Sequence, residues 1–221
     1  MKWGLFGGTF DPIHLGHLRC AQEILEICSL DKIVFIPAFQ PPHKQGQTIT
    51  AFHHRKTMLE AAIEGNPRFE VSEAESLRQG FSYSIDTVEH LQAHSGDATL
   101  FFITGLDAFA DIRTWKNWRE LLRQCSFIVM TRPGFETFDL AKILSPEIAD
   151  MYRFDAASDR FIGPGGGTLL FRRVTFLDIS SRAIRNLSAG GMSIRYLVPE
   201  AVRRHIDFHN LYGLDHPGKM K

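Results

Sequence analysis

Short apolar segments alternate with helix-like segments along this chain, and the alternation restricts the possible folds more than any other feature. Residues 2–6 and 32–37 are predicted as buried strands, and the apolar positions of residues 12–29 recur at helical spacing. A strand, a helix and a second strand in this order form a unit whose two strands run parallel. The pattern predicts an α/β fold with a doubly wound, mainly parallel sheet.

The alternation continues through most of the remaining sequence. Further helices are predicted over residues 51–64 and 82–94, and further strands over residues 69–72, 99–104, 126–131 and 168–177. We expect a single domain over residues 1–221, with a small helical part at its C-terminal end. Residues 133–167 mix turns with short helical patterns, so we expect a variable insertion there. Ligands of such sheets bind at the carboxyl ends of the strands.

A glycine-rich turn follows the first predicted strand. Residues 7–8 are both glycine, which lets the chain turn and lets a ligand approach the backbone. Asp11 and Pro12 suit the cap and the first position of a helix, which is therefore predicted to begin at Pro12. His14 and His17 would share one face of its first turn, where unpaired amides and the helix dipole favour an anion. The segment predicts a site for nucleotide phosphates.

A metal ion is the main alternative ligand for these two histidines. His14 and His17 are of a residue type that binds zinc, but no further His, Cys or Glu set lies nearby at zinc-like spacing. The sequence therefore favours phosphate and predicts no metal held by protein side chains alone. A structural or surface pair of histidines is the second alternative.

Charge limits the classes of partner. The chain carries 25 Lys and Arg and 25 Asp and Glu, so no net basic charge indicates a nucleic acid or a membrane surface. The segment HHRK at residues 53–56 is interpreted as a solvated helix face, and Glu73 and Glu75 are expected on the surface without a chemical role. A small-molecule substrate is favoured, with no nucleic-acid partner and no membrane partner.

The cysteines indicate the compartment. Cys20, Cys28 and Cys125 are odd in number and scattered, and neither a secretory signal nor a long apolar span is recognisable. We expect a reduced, cytoplasmic protein. The sequence gives no basis for predicting an oligomeric state.

Motifs at six places in the chain occur in a recognisable order. They are HLGH at residues 14–17, IPAFQPPHK at 36–44, FSYSIDTV at 81–88, GLDAFADIRTW at 105–115, TRPG at 131–134 and ISSRAIR at 179–185. Together they resemble bacterial nicotinate-nucleotide adenylyltransferases, members of the HxGH nucleotidyltransferase superfamily. The resemblance covers nearly the whole chain apart from residues 133–167. It implies a Rossmann-like nucleotidyltransferase fold and adenylyl transfer from ATP to nicotinate mononucleotide, which yields deamido-NAD and pyrophosphate.

The resemblance also implies roles for individual residues. Those with a catalytic role are His14, His17 and Arg185. Those that would contact ATP are Gly7, Gly8, Thr9, Phe10, Asp107, Arg132, Ile179, Ser180 and Ser181. Those that would contact the mononucleotide are His43, Lys44, Tyr83, Ser84 and Trp115. The chain departs from the family pattern at Arg182, where Thr is common, and at Lys116, where an aromatic residue is frequent.

Side-chain chemistry agrees with the implied roles. The indole of Trp115 can stack on a pyridine ring. Free amides at a helix start near Tyr83 and Ser84 can receive the ring's carboxylate, and Asp107 can accept hydrogen bonds from ribose hydroxyls. Each residue also has an ordinary alternative, which is core packing for Trp115 and helix capping for Ser84 and Asp107. The motifs offer donors to phosphate but no carboxylate cage, so we expect Mg²⁺ to enter with ATP.

Two other functions remain open from the sequence. One is a related transferase that uses nicotinamide mononucleotide or phosphopantetheine, although the PPHK and GLDAFADIRTW segments argue against phosphopantetheine. The other is a noncatalytic nucleotide-binding module, against which the presence of His14, His17 and Arg185 argues. A pyrophosphate-release assay separates an enzyme from such a module.

Overall fold

The computed structural model describes residues 1–42, 46, 48–78, 80–132 and 140–213. The strands found there are β1 (Lys2–Gly8), β2 (Lys32–Pro37), β3 (Phe69–Val71), β4 (Thr99–Gly105), β5 (Ser126–Thr131), β6 (Arg153–Asp155), β7 (Arg160–Ile162) and β8 (Thr168–Arg173). The α-helices are α1 (Leu15–Ile27), α2 (Phe52–Ile63), α3 (Ser84–His94), α4 (Leu106–Ala110), α5 (Trp118–Gln124), α6 (Pro146–Ala149), α7 (Ser181–Ala189) and α8 (Glu200–Phe208). In this part of the chain, none of the helices is long and apolar enough to cross a membrane.

The strands form one eight-stranded sheet in the order β3-β2-β1-β4-β5-β8-β7-β6. Strands β1 to β5 and β8 pair in parallel, whereas β6 and β7 pair antiparallel at one edge. The prediction of a doubly wound, mainly parallel sheet is confirmed. The chain runs outward from β1 in one direction and from β4 in the other, so a crevice opens where their carboxyl ends meet. Sheets of this kind bind ligands at that reversal point.

Helices cover both faces of the sheet. Neighbouring residues of β1 point to opposite faces, so that Leu5 packs with residues of α3 and α5, and Phe6 packs with residues of α1, α2, α7 and α8. Strand β2 divides in the same way, with Val34 in the first layer and Phe35 in the second. Burial on both faces explains why the central strands are continuous apolar runs in the sequence.

Helix α1 begins at Leu15, three residues later than predicted, because His14 rather than Asp11 is its N-cap. Asp11 is buried, and its carboxylate accepts hydrogen bonds from the Thr50 amide and the Tyr212 hydroxyl. That carboxylate is therefore engaged with distant parts of the chain and does not cap the helix. The predicted start at Pro12 is wrong.

The segment predicted as an insertion contributes to the sheet. Strands β6 and β7 form an antiparallel hairpin, and β7 continues the sheet by pairing antiparallel with β8. Each of these two strands has only 3 residues, too few for an alternating pattern to be recognised in the sequence. Residues 133–139 lie outside the described residues. Strand β8 ends at Arg173, four residues earlier than predicted.

Candidate active site

His14 and His17 cap the first turn of α1 reciprocally. The Nδ1 atom of His17 accepts a hydrogen bond from the His14 amide at 3.3 Å, and the Nδ1 atom of His14 accepts one from the His17 amide at 3.4 Å. The two rings stack with their centroids 3.6 Å apart. Because each Nδ1 atom is an acceptor, each neutral ring carries its proton on Nε2. The pair therefore keeps two Nε2–H donors for a ligand.

Both imidazoles are neutral near pH 7. Burial lowers the pKa of His14 to about 4. Burial also lowers the pKa of His17 well below its ordinary value, and the neighbouring His14 lowers that pKa further. A phosphate placed beside the rings would act in the opposite direction, since a nearby anion favours the protonated imidazole. The site can therefore gain positive charge as a phosphate binds.

Phe10 supports the segment that carries the two histidines, residues 7–17, which we call the histidine loop. The Phe10 ring is only 2% exposed and meets the His17 ring edge to face, with centroids 5.2 Å apart. A Cβ atom on Gly8 would lie 2.9 Å from this ring, so a glycine is needed where Phe10 folds beneath the loop. The Phe10 side chain packs in the core, which leaves only its backbone for the predicted contact with ATP.

Gly16 allows the His14 ring to approach the helix closely. A Cβ atom at this position would lie 3.0 Å from Nδ1 of His14, closer than ordinary van der Waals contact. The ring would have to shift by a few tenths of an ångström to admit it. The glycine in HLGH thus fixes the position of the first histidine.

Replacing Gly16 by Ala is expected to lower kcat/KM by about tenfold, because misplacing a catalytic group by 1 Å costs on the order of 100-fold and the shift here is smaller. The unfolding temperature should not fall, since alanine is favoured over glycine inside a helix by about 1 kcal/mol. Steady-state kinetics and thermal denaturation measure the two quantities. Gly190→Ala is the matched control, because a Cβ atom there would make only ordinary contacts, the nearest at 3.5 Å. Unchanged kcat/KM in Gly16→Ala would contradict the positioning role.

Buried polar contacts fix the histidine loop from behind. The Tyr212 hydroxyl donates to Oδ1 of Asp11 at 2.7 Å. The Arg55 guanidinium donates to the backbone carbonyl oxygens of Thr9 at 2.7 Å and of Thr50 at 2.8 Å. Arg55 is only 1% exposed, so the interpretation of residues 53–56 as a solvated face is wrong for this residue. Its two carbonyl partners explain how α2 can bury a guanidinium.

The N-terminus of α7 packs against the same loop. Ser180 is the N-cap, and its side chain accepts a hydrogen bond from the Ala183 amide. The Ser181 hydroxyl donates to the Pro12 carbonyl at 2.8 Å, and the Arg185 guanidinium donates to the Asp11 carbonyl at 2.6 Å. Two segments about 170 residues apart thus meet, which brings the two predicted phosphate-binding motifs together. Ile179 is half-buried and packs on the core layer beneath.

A cavity of about 390 Å³ opens at the carboxyl ends of β1 and β4. That volume lies within the ordinary range for small-molecule pockets. Predicted site residues that line it are Gly7, Gly8, Thr9, Tyr83, Ser84 and Trp115. The Trp115 ring stands edge-on to Phe102, with centroids 5.7 Å apart. His14, His17 and Arg185 do not border the cavity, which meets the histidine loop at residues 7–9.

Two charged residues that line this cavity were not assigned a role from the sequence. Glu75 is 9% exposed, and its Oε1 lies 2.8 Å from the Thr87 hydroxyl at the start of α3. Its other oxygen has no partner among the described residues. The expectation that Glu75 lies on the surface is wrong, because the turn after β3 packs beneath α3. Lys116 also lines the cavity, with its Nζ 2.9 Å from Asp86 and 4.7 Å from the Tyr83 ring centroid.

Asp107 and Arg132 lie side by side beyond the ends of β4 and β5. Their charged groups are 3.5 Å apart, and the side chains are 90% and 65% exposed. Asp107 lies in the first turn of α4, whose N-cap is Gly105, so Asp107 is not the cap. The Arg132 guanidinium stacks over Phe176 at 4.3 Å, and this exposed aromatic residue was missed in the sequence. An exposed ion pair is weak, so either partner can exchange it for a ligand.

The predicted mononucleotide contacts His43 and Lys44 lie outside the described residues. The neighbouring Pro41 and Pro42 line the cavity.

The chain is similar in sequence to known proteins over nearly its whole length. The cytidylyltransferase-like family model matches residues 5–187. A protein from Pelobacter propionicus that carries the name "Probable nicotinate-nucleotide adenylyltransferase" is 43% identical over 96% of this chain and 98% of its own length. A protein of the same name from Geobacter sulfurreducens is 40% identical over 97% of this chain and 100% of its own length.

Solved structures share the fold. Nicotinic acid mononucleotide adenylyltransferase from Plasmodium falciparum, complexed with NaAD, superposes with a TM-score of 0.72 at 19% identity, covering 96% of this chain and 97% of its own. The same protein complexed with APC gives a TM-score of 0.70. At this level of identity the likeness concerns the fold, and it supports the Rossmann-like nucleotidyltransferase architecture.

Proposed function

The chain belongs to the nicotinate-nucleotide adenylyltransferase family, and we propose that its histidine loop, α7 and cavity together transfer an adenylyl group from ATP to nicotinate mononucleotide, producing deamido-NAD and pyrophosphate. One observation supports this assignment most strongly: the histidine loop contacts the N-terminus of α7, and a cavity lined by aromatic residues lies next to them. The loop and the helix offer hydrogen-bond donors for phosphates, and the cavity offers room for a flat ring.

Positioning and charge stabilisation account for the chemistry. A phosphate oxygen of the mononucleotide attacks the α-phosphorus of ATP, a new P–O bond forms, and the bond to the β-phosphate oxygen breaks as pyrophosphate leaves. The nucleophile is already an anion, so no protein nucleophile is required. The Nε2–H groups of His14 and His17 donate to oxygens on which negative charge increases in the transition state.

Arg185 adds a fixed cation at the same place. One of its guanidinium nitrogens donates a hydrogen bond to the Asp11 carbonyl oxygen at 2.6 Å. A guanidinium has five N–H donors, so donors remain for a phosphate. Free amides at the N-terminus of α7, around Ser180 and Ser181, add to the positive potential. Together these groups would hold the triphosphate in line with the acceptor.

The cavity is assigned to the pyridine ring of the acceptor. Trp115 offers a ring face for stacking, and the start of α3 at Tyr83 and Ser84 presents free amides to a carboxylate. Lys116 beside Tyr83 is paired with Asp86, so the amides at the start of α3 are the groups assigned to the ring carboxylate. Glu75 holds the start of α3 through Thr87, which keeps these amides in place.

The adenosine part is assigned to the exposed residues at the ends of β4 and β5. Asp107 would accept hydrogen bonds from the ribose hydroxyls, in place of its weak pairing with Arg132. Arg132 and Phe176 present planar groups on which an adenine ring can stack.

Mg²⁺ is proposed to enter bound to the triphosphate. The carboxylate of the histidine loop, Asp11, is engaged with Thr50 and Tyr212, and the only cluster of three metal-binding side chains in the described residues consists of histidines, not oxygen ligands. Oxygen ligands are what Mg²⁺ requires. When bound with ATP, the ion would neutralise phosphate charge.

We further propose a cytoplasmic location, because the thiols of Cys20, Cys28 and Cys125 are free. We also propose that the protein has no nucleic-acid partner.

A substrate panel tests the assignment. ATP is offered with nicotinate mononucleotide, nicotinamide mononucleotide or phosphopantetheine, and pyrophosphate release is measured. Release with nicotinate mononucleotide is expected to be fastest. Release only with phosphopantetheine would establish the related transferase instead, and no release with any acceptor would favour a noncatalytic nucleotide-binding module.

Nicotinate mononucleotide is expected to exceed nicotinamide mononucleotide by at least about tenfold in kcat/KM. The amide of nicotinamide brings its own N–H donors toward the donors at the start of α3, and each buried group left without a partner costs on the order of 1 to 3 kcal/mol. Competition between the two acceptors at equal concentration measures the ratio directly. Equal formation of NAD and deamido-NAD would overturn the donor-lined pocket.

A variant at Trp115 separates stacking from this selectivity. Trp115→Ala is expected to raise KM about tenfold for both acceptors without reversing the preference. Phe81→Ala is the matched control, because Phe81 is an exposed aromatic residue beside Tyr83 that does not line the cavity. Lys44→Ala should weaken both acceptors through the phosphate that they share.

A further inference from the structure

Three histidines converge on the side of the molecule where α2 packs against α8. His54 belongs to α2, His205 lies in the last turn of α8, and His209 is the C-cap of α8. One ring nitrogen from each lies within 4.8 Å of the other two. The closest pair, Nδ1 of His54 and Nε2 of His205, is 3.1 Å apart. We call these residues the three-histidine cluster.

The spacing of the cluster fits a tetrahedral ion. Zinc binds imidazole nitrogen at about 2.0–2.1 Å, so two ligands of a tetrahedral site lie about 3.3 Å apart. The His54–His205 pair is already at this separation, at 3.1 Å. His209 is exposed and lies at the end of a helix, so its ring can close the remaining distance. The three histidines would fill three of the four positions of a tetrahedral site.

A hydrogen bond between two rings does not account for the convergence of three. It uses one ring nitrogen of His54 and one of His205, and it involves no nitrogen of the third ring. Imidazole nitrogen is a preferred ligand of zinc and of several other transition metals. Metal binding requires a neutral imidazole with an unprotonated ring nitrogen at each position.

Two other histidine pairs among the described residues lack this geometry. His14 and His17 stack face to face and use both Nδ1 atoms to accept backbone amides, so their free nitrogens do not converge with a third ligand. His90 and His94 occupy adjacent turns of α3, with ring centroids 4.4 Å apart, and no third metal-binding side chain of the described residues joins them. His90 and His94 are therefore a natural control.

We propose that His54, His205 and His209 bind one Zn²⁺ ion that ties α2 to α8. Both elements support the histidine loop, since α2 carries Arg55, which donates to the Thr9 carbonyl, and the chain after α8 carries Tyr212, which donates to Asp11. An ion at the cluster would fasten these two supports to each other. The proposed role is structural and does not depend on the adenylyl-transfer assignment.

Zinc titration of tag-free protein tests the site. The protein is treated with EDTA and dialysed, and Zn²⁺ is then added in competition with a chromogenic chelator. We expect one equivalent bound with a Kd of about 1 µM or below, and an unfolding temperature that rises with Zn²⁺. His209→Gln and His205→Gln are each expected to weaken binding by about 100-fold and to abolish the rise in unfolding temperature.

Control variants distinguish zinc binding at the three-histidine cluster from binding at the other histidine pairs. The double variant His90→Gln with His94→Gln should bind Zn²⁺ like the unaltered chain. Because His209 is exposed, His209→Gln should fold normally, which circular dichroism verifies. Absence of saturable binding, or equal affinity in His209→Gln and the unaltered chain, would overturn the proposal. Loss of binding in His17→Ala with retention in His209→Gln would also overturn it, by placing the ion at the histidine loop.

Discussion

Replacing His17 by Ala is expected to lower turnover by about 100-fold or more, the usual loss when one preorganised donor to the transition state is removed. The Nε2–H of His17 is free to donate because Nδ1 accepts the His14 amide. Burial keeps the pKa of the ring low before substrate binds, so the donor is in place as a neutral group. Pyrophosphate release at saturating substrates measures the change.

A second substitution separates catalysis from helix capping. Glutamine at the third helical position can accept the hydrogen bond of the N-cap amide, as His17 does here. His17→Gln should therefore keep the unfolding temperature of the unaltered chain while it still loses at least about tenfold in turnover. If folded His17→Ala kept near-native turnover, the phosphate-stabilising role of His17 would be wrong. If His17→Gln kept both the turnover and the unfolding temperature of the unaltered chain, while His17→Ala lost both, His17 would be a capping residue alone.

Removing divalent cations is expected to abolish turnover, and added Mg²⁺ should restore it fully. The negative charge of the triphosphate needs a divalent cation to neutralise it. The carboxylate of the histidine loop, Asp11, accepts hydrogen bonds from Thr50 and Tyr212, so we do not expect it to hold this ion. The assay uses EDTA in excess, followed by Mg²⁺ in excess over EDTA. Full turnover in metal-free buffer would contradict the requirement.

The same experiment on His209→Gln distinguishes two roles for metal. The dependence of turnover on Mg²⁺ concentration should be the same in this variant and in the unaltered chain, because the ion proposed at the three-histidine cluster is structural and does not bind the triphosphate. A shift in Mg²⁺ dependence in the variant would mean that the cluster affects the nucleotide site directly.

The local features of the fold were predictable from the sequence. Buried parallel strands are continuous apolar runs, and glycine at the end of β1 marks the turn into the histidine loop. The closeness of His14 and His17 at the start of α1 follows from their spacing of three residues, although the helix begins later than predicted. These features depend on residues close together in the chain, where periodicity and propensity carry the information.

Buried charge was not predictable, because its partners are remote in sequence. Arg55 belongs to a charged segment but is buried, with carbonyl oxygens from Thr50 and from Thr9, 46 residues away, as its partners. Asp11 is of a residue type that often caps helices, but its carboxylate accepts hydrogen bonds from Thr50 and Tyr212 instead. Glu75 resembled a surface carboxylate until Thr87 met it from α3, 12 residues on. Such contacts exist only once the tertiary fold has formed.

The hydrogen bond between Tyr212 and Asp11 can form only after the chain that separates them has been synthesised. The two residues are 201 positions apart, and a ribosome adds about 5–20 residues per second, so about 10–40 s separate the making of one from the other. Over that interval the growing chain carries a histidine loop without its buried phenol. Strand β1, which leads into the loop, is therefore synthesised well before the tyrosine that supports the loop from behind. The histidine loop acquires this contact later than the strand that carries it.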